Sequence, residues 1–190
     1  MLRLGIAGIL GAIVMFIWSA IAHTVLPLGR IGISELPNDS AVVALQASVG
    51  PKAGLYFFPS MQGPEGKLTE AGYAKKLETS AQGLIAYQPP GAGMMTAGQL
   101  IGEFVLELVE AMLLTFLLRF NTMHTVPGRI SFAAAAGAIA AITTNGSYWN
   151  WYRFPIDYTL SYAFIQWVGF VLAGAMISVV LNWARRTPTS

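Results

Sequence analysis

Three glutamates, Glu103, Glu107 and Glu110, sit inside an otherwise apolar stretch, Gly98-Gln99-Leu100-Ile101-Gly102-Glu103-Phe104-Val105-Leu106-Glu107-Leu108-Val109-Glu110. At about 100° per residue, a helix brings them onto one face with Thr96 and Gln99, within an arc of about 80°. A charged side chain at the centre of a bilayer costs about 2.5–3.5 kcal/mol even on the lenient insertion scale. Neighbouring carboxylates repel as well, so one or two of the three must be protonated or matched by a cation or a metal. Such a stripe has to face protein or water, not lipid. Glu107 falls near mid-span, with Glu103 and Glu110 toward opposite ends.

Three kinds of chemistry fit this pattern. Protonated glutamates can hydrogen-bond between helices and fix their packing. The stripe can carry protons or small cations, with Glu103, Glu107 and Glu110 as its acidic members and Gln99 and Gln166 as polar neighbours. Alternatively His23 joins Glu103 and Glu107 around a metal ion, where imidazole and carboxylate suit Zn, Fe or Mn. One histidine and no Glu-x-x-His pair make that ligand set sparse. No Lys or Arg lies in a span core; Arg153 is placed to dip inward, and Gln166, Tyr162 and Ser19 to donate hydrogen bonds.

A second cluster is Ser147-Tyr148-Trp149-Asn150-Trp151-Tyr152-Arg153-Phe154-Pro155. Amphipathic rings settle at the membrane–water interface, so Tyr148, Trp149, Trp151 and Tyr152 read first as anchors, with Arg153 at the headgroups. The same run, with Asn150 and Arg153 as polar handles, offers a contact for another subunit or a docking face for a quinone, lipid or pigment. His124 reads as a solvated residue. The absence of cysteine excludes disulfides, thiolate metal sites and cysteine nucleophiles. No P-loop, dinucleotide-binding, zinc-protease or nucleophile-elbow motif occurs, nor any basic stripe for nucleic acid. The sequence declares no cofactor, and an enzyme is not the expected class.

These residues need elements to hold them. Of the 190 residues, 55% are apolar and only 11% charged, against about 25% charged in soluble domains. The pattern predicts an all-α integral membrane protein with a bundle of four transmembrane helices: 4–27, 97–118, 130–147 and 159–183. Each is long enough for a hydrocarbon core of about 30 Å, the alanine-rich third being the shortest. Thr96 is the expected N-cap of the second span. The first span also resembles a secretory signal with Ala20-Ile21-Ala22 as its cleavage site, but its apolar run exceeds the usual h-region, so it is expected to stay.

Orientation follows from the basic residues. Arg3, Arg119, Arg129, Arg185 and Arg186 flank one side without an acidic neighbour, whereas Arg30, Lys52, Lys67, Lys75, Lys76 and Arg153 spread over the other. Both termini are therefore expected to face the cytoplasm, in a membrane such as the bacterial inner membrane. Residues 28–95 form a long outer segment predicted to fold as a small α/β cap. Its expected parts are a helix from Asn38 to Val49, a helix from Thr69 to Gln82 ended by Gly83, and two short strands, Gly54–Pro59 and Gly83–Pro89. A right-handed parallel crossover is the expected pairing. Tyr56, Phe57 and Phe58 read first as the surface by which that cap packs onto the bundle, and alternatively as an aromatic contact for another subunit or a lipid headgroup. Small residues at Gly5, Gly8 and Gly11, and at Ala133, Gly137 and Ala141, predict close helix pairs.

Two functions follow as expectations. The first is an accessory subunit or interaction partner in a membrane assembly, as a homo-oligomer or part of a larger complex in the lipid bilayer. The second is proton or small-cation handling through the carboxylate stripe.

Overall fold

The computed structural model describes residues 2–91, 93–120 and 125–186. In chain order the elements are α1 (Leu2–Ala20), α2 (Asp39–Val49), β1 (Gly54–Phe58), β2 (Gln62–Gly63), β3 (Gly66–Lys67), α3 (Glu70–Thr79), β4 (Gly83–Tyr87), α4 (Ala97–Phe120), α5 (Val126–Ala141), α6 (Ser147–Tyr152) and α7 (Ile156–Arg186). The chain is mostly helical, with a small sheet. It divides into two compact units, one of residues 1–33 and 95–190, the other Ser34–Met94.

Among the described residues, three helical runs of the first unit are long and apolar enough to cross a membrane: Leu2–Val25, Val126–Tyr152 and Ile156–Trp183. They match the first, third and fourth expected spans. The third is longer than expected, because a π-helical turn at Ile142–Gly146 joins α5 to α6 without a break. The aromatic run is thus mostly helical, and the connection to α7 shrinks to Arg153–Pro155. A similar π turn, Ile21–Val25, extends α1. The second expected span falls on a helix, α4, but with three glutamates and Arg119 in its sequence it is not among these apolar runs. Thr96 caps it reciprocally: Gln99 N–H donates to Thr96 Oγ1 (3.3 Å) and Thr96 N–H to Gln99 Oε1 (2.8 Å).

The packing is a row rather than a closed square. α1 packs against α4 and α7, α7 packs also against α5, and α4 scarcely touches α5. Close approach comes from small residues, as lipid leaves no hydrophobic drive between helices. A Cβ at Gly8 would overlap Met112, and one at Gly11 would meet Ile177 at 3.1 Å. Gly5 has open space around its Cβ position and takes no part. On α5, Ala133, Gly137 and Ala141 are all buried, with Gly137 against Phe170 and Ala133 against Gly174. The core cluster joins Ala7, Ala12 and Met15 to Ala111, Leu114 and Leu118, and to Ala133, Ala173 and Ile177.

In the second unit, Asn38 caps α2 by accepting from Ser40 N–H at 2.8 Å, and Thr69 caps α3. β1 and β4 lie close to the expected strands, yet they pair antiparallel, from Gly54 opposite Tyr87 to Phe58 opposite Gly83. The expected parallel crossover is therefore wrong. Its physical reason is a hairpin, Gln62–Gly63 against Gly66–Lys67, turned by Pro64-Glu65. That extra reversal ahead of α3 sends the chain back in the opposite sense. α3 also ends earlier, at Thr79 with Ser80 as its cap, and Gly83 opens β4. Lys76 Nζ donates to the carbonyls of Ser60 (2.8 Å) and Gln62 (3.0 Å), tying α3 to the hairpin.

Candidate functional site

The first unit holds a partly open cavity of about 660 Å³, walled by α1 and its π turn, α4, the α5–α6 junction and the first half of α7. Glu103, Glu107 and Glu110 all line it, as the 3.6-residue period of α4 requires. Their surroundings differ: Glu103 is exposed, Glu110 half-buried, and Glu107 buried at 6% exposure. Glu107 Oε2 is shut away from solvent and has no hydrogen-bond partner among the described residues. Among the described residues that line the cavity, none is Lys or Arg.

Opposite α4, the polar groups come from the two π turns and α7. His23 and Thr24 lie in one π turn, Thr144 and Asn145 in the other. A π turn widens the helix by one residue and shifts the phase of the side chains beyond it, and such turns are frequent at functional sites. Here both of them reach the same cavity. His23 Nδ1 sits 2.9 Å from Ser19 O; a carbonyl can only accept, so Nδ1 carries the hydrogen. Asn145 is buried and donates from Nδ2 to Ala141 O and to Gln166 Oε1, each at 3.1 Å.

Aromatic side chains complete the wall. Tyr158 and Tyr162 stack with ring centroids 4.2 Å apart, and His23 meets Tyr162 edge-on at 5.6 Å. Tyr162 O–H donates to Gly29 O (3.1 Å), and Trp18 Nε1–H to Ile165 O (2.8 Å). These bonds hold the rings through α1, α7 and the Pro27–Arg30 turn, so the wall does not rest on a mobile loop.

Of the residues expected to form a pathway, Glu103, Glu107, Glu110 and Gln166 meet at the cavity, while Gln99 is occupied in capping α4. His23 reaches the same cavity as Glu103 and Glu107, yet among the described residues no three His, Asp or Glu side chains form a group that could hold a metal ion. From the aromatic run only Tyr148 lines the cavity; Trp149, Asn150, Trp151, Tyr152 and Arg153 are exposed. Arg153 therefore does not dip inward. His124 lies outside the described residues.

Asn145 was not among the expected site residues. Its signal is positional, since Ala133, Gly137, Ala141 and Asn145 continue one stripe at four-residue intervals. No protein-family model, curated protein or solved structure matches the chain.

Proposed function

We propose that this protein is a four-span membrane protein that takes protons or small cations into the cavity between its helices, with Glu107 as the central acceptor. The observation that carries the reading is the buried Glu107 carboxyl, its Oε2 without a partner, in a wall with no Lys or Arg among the described residues. A carboxyl so placed must be neutralised by something that arrives, because an unmatched charge in low dielectric is costly. Glu103 and Glu110 on the same face extend the acidic track along α4.

On this reading α4 is a fourth span. At about 1.5 Å per residue its 24 residues reach about 36 Å, and Ala111, Leu114 and Leu118 belong to the same core as α1 and α7. Its other faces carry exposed Ile101, Val105, Val109 and Phe116, as a lipid-facing surface does. Both termini then lie on the cytoplasmic side and residues 28–95 outside.

The test is flux into proteoliposomes containing the purified protein alone, read with an internal pH dye or labelled Na⁺. Glu107→Gln should abolish flux while leaving the fold intact, since glutamine keeps the shape and loses the titratable charge. The alternative is an accessory subunit, a reading that draws on Trp151, 77% exposed at the end of α6. It predicts no Glu107-dependent flux from the isolated protein, and wild-type-like behaviour of Glu107→Gln would sink the transport reading.

A further inference from the structure

We infer that the cation held in this cavity is organic: a single ammonium group carried on an apolar body. The inference rests on the carboxylate wall being a cation site and replaces the small inorganic cation of that reading with an organic one. Size is the first argument. A volume of 660 Å³ lies in the range of small-molecule sites, about 300–1,000 Å³, whereas one water occupies about 30 Å³. A bare ion would leave most of this space unfilled.

The composition of the wall is the second argument. Phe16, Trp18, Tyr148, Tyr158 and Tyr162 contribute five aromatic rings. The Trp18 N–H and the Tyr162 O–H are committed to backbone carbonyls, so these two side chains present mainly their π-systems. Aromatic faces attract ammonium groups strongly once water is excluded, and quaternary ammonium recognition uses such rings. They are poor ligands for a small hard metal ion, which needs a shell of about six oxygens.

Glu107 is more than nine-tenths buried, and its Oε2 lacks a partner in the wall it lines. An ammonium met by rotation of this carboxyl toward the cavity would supply the missing charge while its apolar body lies against Phe16, Leu100 and Ile165. Contact between α4 and α5 is sparse, so we place the entry of such a body on that side.

The test is isothermal titration calorimetry on the purified full chain in detergent, with benzyltrimethylammonium as the probe. Its uncharged carbon isostere, neopentylbenzene, is presented in the same micelles. Benzyltrimethylammonium should bind saturably, survive exchange of Na⁺ for K⁺ at constant ionic strength, and weaken at least about tenfold in Glu107→Gln. Neopentylbenzene should bind wild type and variant alike. Equal binding of the two probes to the wild type would overturn the inference without reliance on any variant, as would undiminished binding of benzyltrimethylammonium to a folded Glu107→Gln. If benzyltrimethylammonium fails to bind while Glu107-dependent proton or Na⁺ flux persists, the organic occupant falls and the cation site stands. Loss of both would remove the site itself.

Discussion

Arg129 and Glu107 are two buried ionisable side chains, each with one buried atom lacking a hydrogen-bond partner among the described residues, Nε and Oε2. Arg129 is 2% exposed and donates from Nη1 to Asn182 Oδ1 at 3.0 Å, so part of its demand is met from within the bundle. Glu107 Oε2 has no such arrangement. Hydrogen bonds to charged groups contribute about 1.5–3 kcal/mol. Asn182→Ala should therefore lower stability by about that amount in a thermal unfolding series in detergent, with no effect on Glu107-dependent flux. A change of flux at unchanged stability would tie the pair to the cavity instead. In the sequence Arg129 read only as a basic flank, because position near a span end is all that hydropathy reports. Its burial depends on α7 crossing α5 beside it. The glutamate stripe was legible for the opposite reason: its argument needs only the period of one helix and the cost of charge in lipid.

At the scale of elements, α1 shows how glycine position decides packing. Gly5 and Gly8 are three residues apart, yet a Cβ at Gly5 meets nothing within 4 Å and one at Gly8 runs into Met112. Gly8→Leu should cost about 1–3 kcal/mol through overpacking of α1 against α4, whereas Gly5→Leu should be close to neutral. Unfolding of the two variants in the same detergent checks the pair, and equal effects would contradict the assigned α1–α4 contact. Helix starts were readable from Asn38, Thr69 and Thr96, whose side chains perform local capping. The sense of strand pairing was not, because it depends on a two-residue hairpin too short to leave a hydrophobic pattern. The π turns were equally hidden. They lie within continuous helical runs and carry residues, His23 and Asn145, whose importance comes from the chains packed opposite them.

At the scale of the whole molecule, the excess of basic residues around the short connections predicts sidedness that chemistry can read directly, since the chain has no cysteine of its own. With a membrane-impermeant maleimide on intact cells, Ser48→Cys should be labelled at once. Leu2→Cys should be labelled only after the membrane is permeabilised. The reverse pattern would invert the proposed orientation. The row-like order of helices, with α4 and α5 barely in contact, has a consequence for any measurement of affinity. A solute that enters sideways is drawn from the hydrocarbon phase, where an amphiphile accumulates according to its oil–water partition coefficient. Its effective concentration then scales with moles per mole of lipid, so the apparent dissociation constant should rise as more lipid is added at fixed protein. Constants quoted against total aqueous concentration would describe the bilayer as much as the protein.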